Sequence, residues 1–439
     1  MDDTIRHPLA AARAARGWSQ SELARRIGEA ARARGLRSGI DRHQIWKWEN
    51  YRAVPGRESQ LLLADVFGTD PALVEALGWP FWLPGPDRPV PLGPGSAVPA
   101  LQQALGESMD RRAFLTATTA TAVTGLAQQW AAATPAHALP RALDGHSVGH
   151  DLVTRLETIG DQLTGLVTEQ RQHTRALLDG HLSTVTDLLH AGNHPPDLGR
   201  RLHTLAARLA LTSGWIRFDQ AHHAAASRYW QAALHSAHAS GDRDLGAGII
   251  ADLSYQALWT GDPRTAADLL THALTHTRHP TARSLLQLRL ARAHAALGDT
   301  RPTDHALTQA EYELDRTTDQ APPPWCSWMG PADLLVDAGR CHLDLGRTTR
   351  AHQLIGEGTA LLTAARAKTR GVFLAYEAEN HLRTGDVDQA AAAATESLTL
   401  ARRIGAPRCV TLVEQLLPAF RDHPRAPGVP ELLHLARSA

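Results

Sequence analysis

The sequence predicts an all-α chain: a small N-terminal helical unit followed by a long array of paired helices, an α-hairpin solenoid. Three observations lead there. From about residue 145 onward Ala, Leu and Arg recur at helical spacing, with no alternating strand pattern. The same region repeats a helix–glycine–helix design several times. The first 80 or so residues break into short apolar-faced segments bounded by capping residues and glycines.

The bulk numbers agree with a folded protein of more than one domain. The chain has 439 residues, 43% hydrophobic and 21% charged. Its net charge is zero, so no whole-protein field draws it to nucleic acid or membrane. The charge is unevenly spread, however. Residues 1–60 carry twelve Lys and Arg against seven Asp and Glu, which leaves the remainder acidic by the same margin. Only Lys47 and Lys368 are lysines among 45 basic residues, an arginine bias typical of a GC-rich genome. Cys326, Cys341 and Cys409 show no C-x-x-C spacing and read as buried reduced thiols. No apolar run reaches the roughly 18 residues of a membrane span, and the first residues lack a secretory pattern. A cytoplasmic protein without membrane partners is the expectation.

The first unit is expected over residues 1–82. In LAAARAARGWSQSELARRIG, Gly17 breaks a first helix, and Ser19 with Glu22 forms an S-x-x-E capping box that opens a second. Leu23, Ala24 and Ile27 give that helix its apolar face. Asp41 caps a third helix in DRHQIWKWEN, where Ile45 and Trp48 share one face while Arg42, His43, Trp46 and Lys47 point elsewhere. QLLLADVFGTDPALVEALG supplies one or two more helices.

These pieces resemble the phage-repressor-like helix-turn-helix of the XRE family of transcriptional regulators. The matching residues are Arg13, Gly17, Ser19, Gln20, Glu22, Leu23 and Ala24, then Ile45, Trp48, Glu49 and Asn50, within about 65 residues. The resemblance implies a partner, double-stranded operator DNA, bound at two half-sites by a homodimer. It places Gln20 near a phosphate and Arg42, His43, Gln44 and Lys47 on the groove-facing side of the third helix. Ile45 and Trp48 become its anchors, and Arg13 with Glu49 an interior ion pair. One departure stands out: Gln20 and Arg42 lie 22 positions apart, roughly twice the usual family separation. The extra segment either lengthens the second helix or forms a basic wing.

The side-chain chemistry suits DNA in its own right. Arginine can donate twice to guanine O6 and N7, and His43 and Lys47 can donate to major-groove acceptors. Arg25, Arg32, Arg34, Arg37 and Arg52 suit phosphates, which adds affinity without sequence information; the plainer alternative is a solvated helix face. Trp46 has three readings: packing on the sugar-phosphate backbone, a dimer contact, or burial under the wing.

Residues 83–144 read as a Pro/Gly-rich linker, LPGPDRPVPLGPGSAVPA, plus one connecting helix. Within it, MDRRAFLTATTATAVTGLAQQWAAATPAHA resembles a twin-arginine export signal at Arg111 and Arg112. Five threonines interrupt its apolar stretch, and the upstream residues form a coherent unit. A helix with Phe114, Leu115, Val123, Leu126 and Trp130 packed inward is therefore the preferred reading.

Residues 145–439 carry the repeats. Gly261, Gly346 and Gly385 each end a helix, and Ala266, Ala351 and Ala390 follow five positions later. Gly298 and Gly214 look like looser copies. Glycine supplies the left-handed helix cap, and alanine lets the paired helices approach. The glycine spacings of 47, 37, 48 and 39 exceed the tetratricopeptide (TPR) period of about 34 residues, but the array resembles that family. The resemblance implies a groove that senses a peptide, small molecule or protein. Trp325 and Trp328 in PPPWCSWMG either line a ligand pocket or wedge between repeats. Of three asparagines, only Asn380 lies on an inner repeat helix, which weakens a peptide-backbone grip specifically.

No P-loop, dinucleotide fingerprint, H-E-x-x-H or G-x-S-x-G occurs. His272 and His276, four apart, lack further ligands at metal spacing. The sequence therefore predicts no enzyme, metal or cofactor. It predicts a DNA-binding regulator with a sensor solenoid; the alternative is a TPR scaffold that binds a protein partner, its N-terminal helices an interaction module.

Overall fold

The computed structural model describes residues 7–50, 52–80, 82–84, 90–106, 120–132, 148–166, 170, 172–316, 320–363 and 365–437. Among them there are only helices and connecting turns, and no strand. Arg111, Arg112, Phe114 and Leu115 of the twin-arginine-like segment lie outside the described residues.

The N-terminal unit comprises α1 (Pro8–Ala14), α2 (Gln20–Ala33), α3 (Arg42–Glu49), α4 (Arg57–Phe67) and α5 (Pro71–Leu77). They enclose one apolar core that includes Leu9, Leu23, Ile27, Ile45, Trp48, Leu63 and Phe67. Caps explain the starts: Ser19 Oγ accepts from Glu22 N at 3.1 Å, and Asp41 Oδ1 accepts from Gln44 N at 2.8 Å. The reciprocal half of the predicted capping box is replaced. Glu22 turns outward to Arg25 and Arg26, at 2.6 and 2.9 Å, because two cations outcompete one backbone amide. The extra segment mainly lengthens α2, which runs 14 residues before Gly35, at φ +71°, turns the chain. An extended stretch then leads to Asp41, so α2 and α3 are not joined by a tight turn.

The region read as a linker does more than connect. α6 (Ala97–Leu105) and α7 (Ala120–Ala132) bury Ala100, Leu101, Val123, Leu126 and Trp130 in the first core of the solenoid. Two helices stand here, where one was expected, because their apolar faces find partners the local sequence does not show. Ser96 Oγ, just before α6, is 2.8 Å from His235 Nδ1. α5 also touches α7.

The solenoid follows as α8 (His150–Thr164), α9 (Arg175–Ala191), α10 (Pro196–Asp219), α11 (His223–Ser240), α12 (Arg243–Trp259), α13 (Pro263–Leu274), α14 (Pro280–Ala296), α15 (Thr300–Asp315), α16 (Pro331–Asp344), α17 (Thr348–Leu361), α18 (Ala367–Thr384) and α19 (Val387–Ile404). Three short helices end the described chain: α20 (Pro407–Glu414), α21 (Leu417–Arg421) and α22 (Val429–Arg437). From α10 onward the helices pair as hairpins, α10 with α11 through α18 with α19, in a TPR-like stack. Gly261, Gly298, Gly346 and Gly385 all have φ between +75° and +86°, and Ala266, Ala351 and Ala390 are buried behind them.

Gly214 is the exception. It lies inside α10, not at its end, and the hairpin turns at Ala221 (φ +59°). Gly214 serves close approach: a Cβ there would stand 2.5 Å from Cδ1 of Trp230. Two further glycines on α12 do likewise. Gly246 receives the Trp130 ring and Gly248 the Trp325 ring, each 2.5 Å from a built Cβ.

Candidate functional site

Two regions gather functional side chains, the outer face of α3 and the inner face of the solenoid. On α3, Ile45 is fully buried and Trp48 only 2% exposed, while Arg42, His43 and Trp46 face solvent and Gln44 and Lys47 are half-buried. The His43 and Trp46 rings lie parallel (3° apart) with centroids 5.9 Å apart, a flat exposed platform that excludes burial of Trp46 under a wing.

The end of α3 is clamped from beneath. Arg13 donates to both carboxylate oxygens of Glu49 at 2.7 and 3.2 Å, and Gln20 Nε2 donates to Oε2 at 2.6 Å. Gln20 thus spends its amide on α3 itself and does not stand free at the start of α2. Arg34 is likewise engaged, by Asp65 of α4 at 2.6 Å, and Arg25 by Glu22 and Glu29. An ion pair with a neighbouring carboxylate is the stronger local option for an arginine near one. Arg37, Arg42, Lys47 and Arg52 have no carboxylate partner among the described residues, and all but Lys47 are exposed.

The predicted groove residues separate. Trp325 packs on Gly248 and donates from Nε1 to Asp244 Oδ2 at 3.0 Å. It packs as a wedge between repeats and is half-buried there. Trp328 is 44% exposed, and the Arg366 guanidinium lies 5.8 Å from its ring. Asn380 is 1% exposed, and neither amide atom makes a hydrogen bond. His276 packs edge-on against Trp130 at 4.5 Å, and no metal-ligand cluster occurs among the described residues. Cys326, Cys341 and Cys409 are free and buried, and burial pushes the Cys326 thiol up to about 12.

Sequence reasoning missed the inner face proper, where the first helix of each hairpin contributes charges and rings in register. Asp252 of α12 accepts from Trp215 Nε1 and from Arg289 Nη1, both at 2.8 Å. Tyr376 of α18 sits between the guanidinium groups of Arg292 and Arg340, at 5.4 and 5.0 Å from its ring. Burial pushes its phenol up to about 12. Arg292 pairs with Asp337 at 2.7 Å, and Arg340 with Asp344 at 2.9 Å and with Glu379. Contacts also cross most of the array. Lys368 of α18 pairs with Asp219 of α10, and Arg408 of α20 donates to the Tyr255 hydroxyl of α12 at 3.1 Å. The superhelix therefore winds far enough for its last repeats to meet its first.

A family model described as the SP15 N-terminal domain matches residues 9–71. No curated protein matches the sequence at a significant level. Among solved structures, the chain is similar to a Rap protein complexed with competence and sporulation factor, at 12% identity and a TM-score of 0.42, covering 66% of this chain and 97% of that one. BtubC (BKLC) from P. vanneervenii aligns at 14% identity and 0.37, covering 55% and 93%. The APC/C hetero-tetramer Cut9-Hcn1 aligns at 12% and 0.29, covering 85% and 81%.

Proposed function

We propose that this chain is a regulator with two binding surfaces: a solenoid that takes a protein or peptide partner, and an N-terminal unit that takes duplex DNA. The solenoid part of the reading is supported by the fold, since stacked helical hairpins present a continuous inner face suited to a partner. The DNA part rests on one observation. The Ile45 and Trp48 underside of α3 is sealed in a core and its end is clamped through Glu49, which leaves Arg42, His43 and Trp46 exposed together, with Lys47 half-buried beside them. A helix held that way offers donors to base edges and a cation to phosphates. The unit resembles that of the XRE-type regulators, and one such unit covers too little DNA for tight specific binding, so a dimer on two half-sites completes the reading. A partner in the solenoid would then alter the spacing of the two heads.

The test is a gel shift of the full chain on the DNA upstream of its own coding region, with random competitor DNA at several salt concentrations. Specific retardation, reduced about tenfold or more by Arg42→Ala, supports the operator reading. Indifference to every genomic fragment at low salt refutes it. The second reading, a scaffold whose N-terminal helices bind protein, is favoured by the capture of Gln20 and Arg34 in internal contacts.

A further inference from the structure

The Arg408 side chain occupies an unusual place. Its guanidinium lies 5.5 to 5.9 Å from the ring centroids of Trp215, Phe218, Tyr255 and Trp259, four aromatic residues contributed by α10 and α12. These rings are mutually edge-packed: Phe218 lies 5.6 Å from Trp215, 5.8 Å from Tyr255 and 5.9 Å from Trp259. Phe218 is 1% exposed, and the Arg408 side chain 11%. A ring face is negative and a guanidinium is flat and weakly hydrated, so four rings around one site form a receptor for that group.

Arg408 fills the box imperfectly. Asp219 stands at the rim, but its Oδ1 makes no hydrogen bond, and neither does Arg408 Nε, although the two are only 3.9 Å apart. Asp219 instead leans on Lys368, reached from α18. Tethered to α20, the side chain stacks among the rings and gives Nη1 to the Tyr255 hydroxyl, while its Nε stays 3.9 Å from the carboxylate. A guanidinium arriving on a free ligand has no such tether and can satisfy Asp219 with two parallel bonds. The box also lies where the last repeats meet the first, so the groups that occupy it now hold the superhelix closed.

We infer that the box of Trp215, Phe218, Tyr255 and Trp259, with Asp219 at its rim, is a binding site for the arginine side chain of a peptide ligand, and that Arg408 is an internal stand-in which the ligand displaces. Displacement releases the contact between α20 and α12 and loosens the closed superhelix. The inference deepens the reading of the solenoid as a peptide- or protein-binding domain and is independent of DNA binding.

The test uses the full chain, acetyl-Gly-Arg-Gly-amide and its citrulline counterpart, in which a neutral urea replaces the guanidinium. In calorimetric titration, Arg408→Ala binds the arginine peptide about tenfold or more tightly than wild type, a difference of about 1.4 kcal/mol. The citrulline peptide binds neither protein, and adding Trp259→Leu to Arg408→Ala abolishes the gain. Equal affinity of wild type and Arg408→Ala, or equal binding of the citrulline peptide, overturns the inference. If Arg408→Ala does not fold alone, millimolar guanidinium chloride present during refolding recovers soluble protein where sodium chloride does not; equal yields overturn it as well. A chain that binds the peptide but shifts no DNA sinks the operator reading and keeps this one.

Discussion

The orientation of α3 depends on the clamp at Glu49, and a double-mutant cycle measures that dependence. The Glu49 side chain is 5% exposed and Arg13 18% exposed, with two hydrogen bonds between them at 2.7 and 3.2 Å. Removing Glu49 strands a largely buried guanidinium, for which a loss of about 3–5 kcal/mol is the upper range. Arg13 keeps its bond to the Trp18 carbonyl at 2.6 Å and some solvent, which brings the expected loss to about 2–3 kcal/mol. Gln20 also loses its acceptor, but an amide can turn to water. Glu49→Leu should therefore cost about 2–3 kcal/mol, Arg13→Met a similar amount, and the double variant little more than either, a coupling of about 1.5 kcal/mol or more. Hydrogen exchange of peptides spanning α3 in the full chain provides the assay, because it reports local opening separately from the solenoid. An opening cost lower by about 2.8 kcal/mol appears as exchange about a hundredfold faster. Simple additivity of the two substitutions, or unchanged protection of α3 in Glu49→Leu, would refute the clamp and with it the fixed presentation of Arg42 and His43.

Further outcomes follow from the same contacts. Arg42→Ala should cost about 1–3 kcal/mol on a cognate site and little on random DNA, whereas Arg37→Ala should weaken all sequences alike and flatten the salt slope; filter binding across a salt series distinguishes them. Gly248→Ala drives a methyl into the Trp325 ring, so thermal denaturation should show a loss of about 1–3 kcal/mol, while Gly261→Ala acts through its positive φ alone. Burial pulls His235 down from 6.5 to about 3 and His203 to about 4. The folded chain keeps both neutral while the unfolded chain protonates them, so stability is full above pH 6.5 and falls between there and the folded values. Each contributes a slope of up to about 1.4 kcal/mol per pH unit in that window. His235→Gln should flatten the acid limb of a denaturation series, at the cost of the contact that His235 makes with Ser96; an unchanged limb counts against neutral burial.

Much of the fold was legible because it is written in local terms. Helical period, the caps at Ser19 and Asp41, the positive-φ glycines and the alanines five residues beyond them act within one or two turns, so the sequence alone determined an all-α chain with paired helices. The same locality revealed which side of α3 is buried, whereas the pairing of Arg13 with Glu49, 36 residues apart, came only from the family resemblance. It failed where a residue's partner lies far along the chain. Gly214 has the spacing of a cap, yet Trp230 requires it as a space inside α10. Trp325 resembles a ligand platform until Gly248 and Asp244 claim it. α7 was legible from its inward-facing Val123, Leu126 and Trp130, but α6 read as linker because its apolar face is completed by α9 and α11, at least 70 positions away. The aromatic box is the extreme case: Arg408 meets Tyr255 across 153 residues, through the accumulated twist of every intervening hairpin. Local periodicity sets which elements form, but small rotations between repeats add up, and only their sum decides which distant side chains share a site.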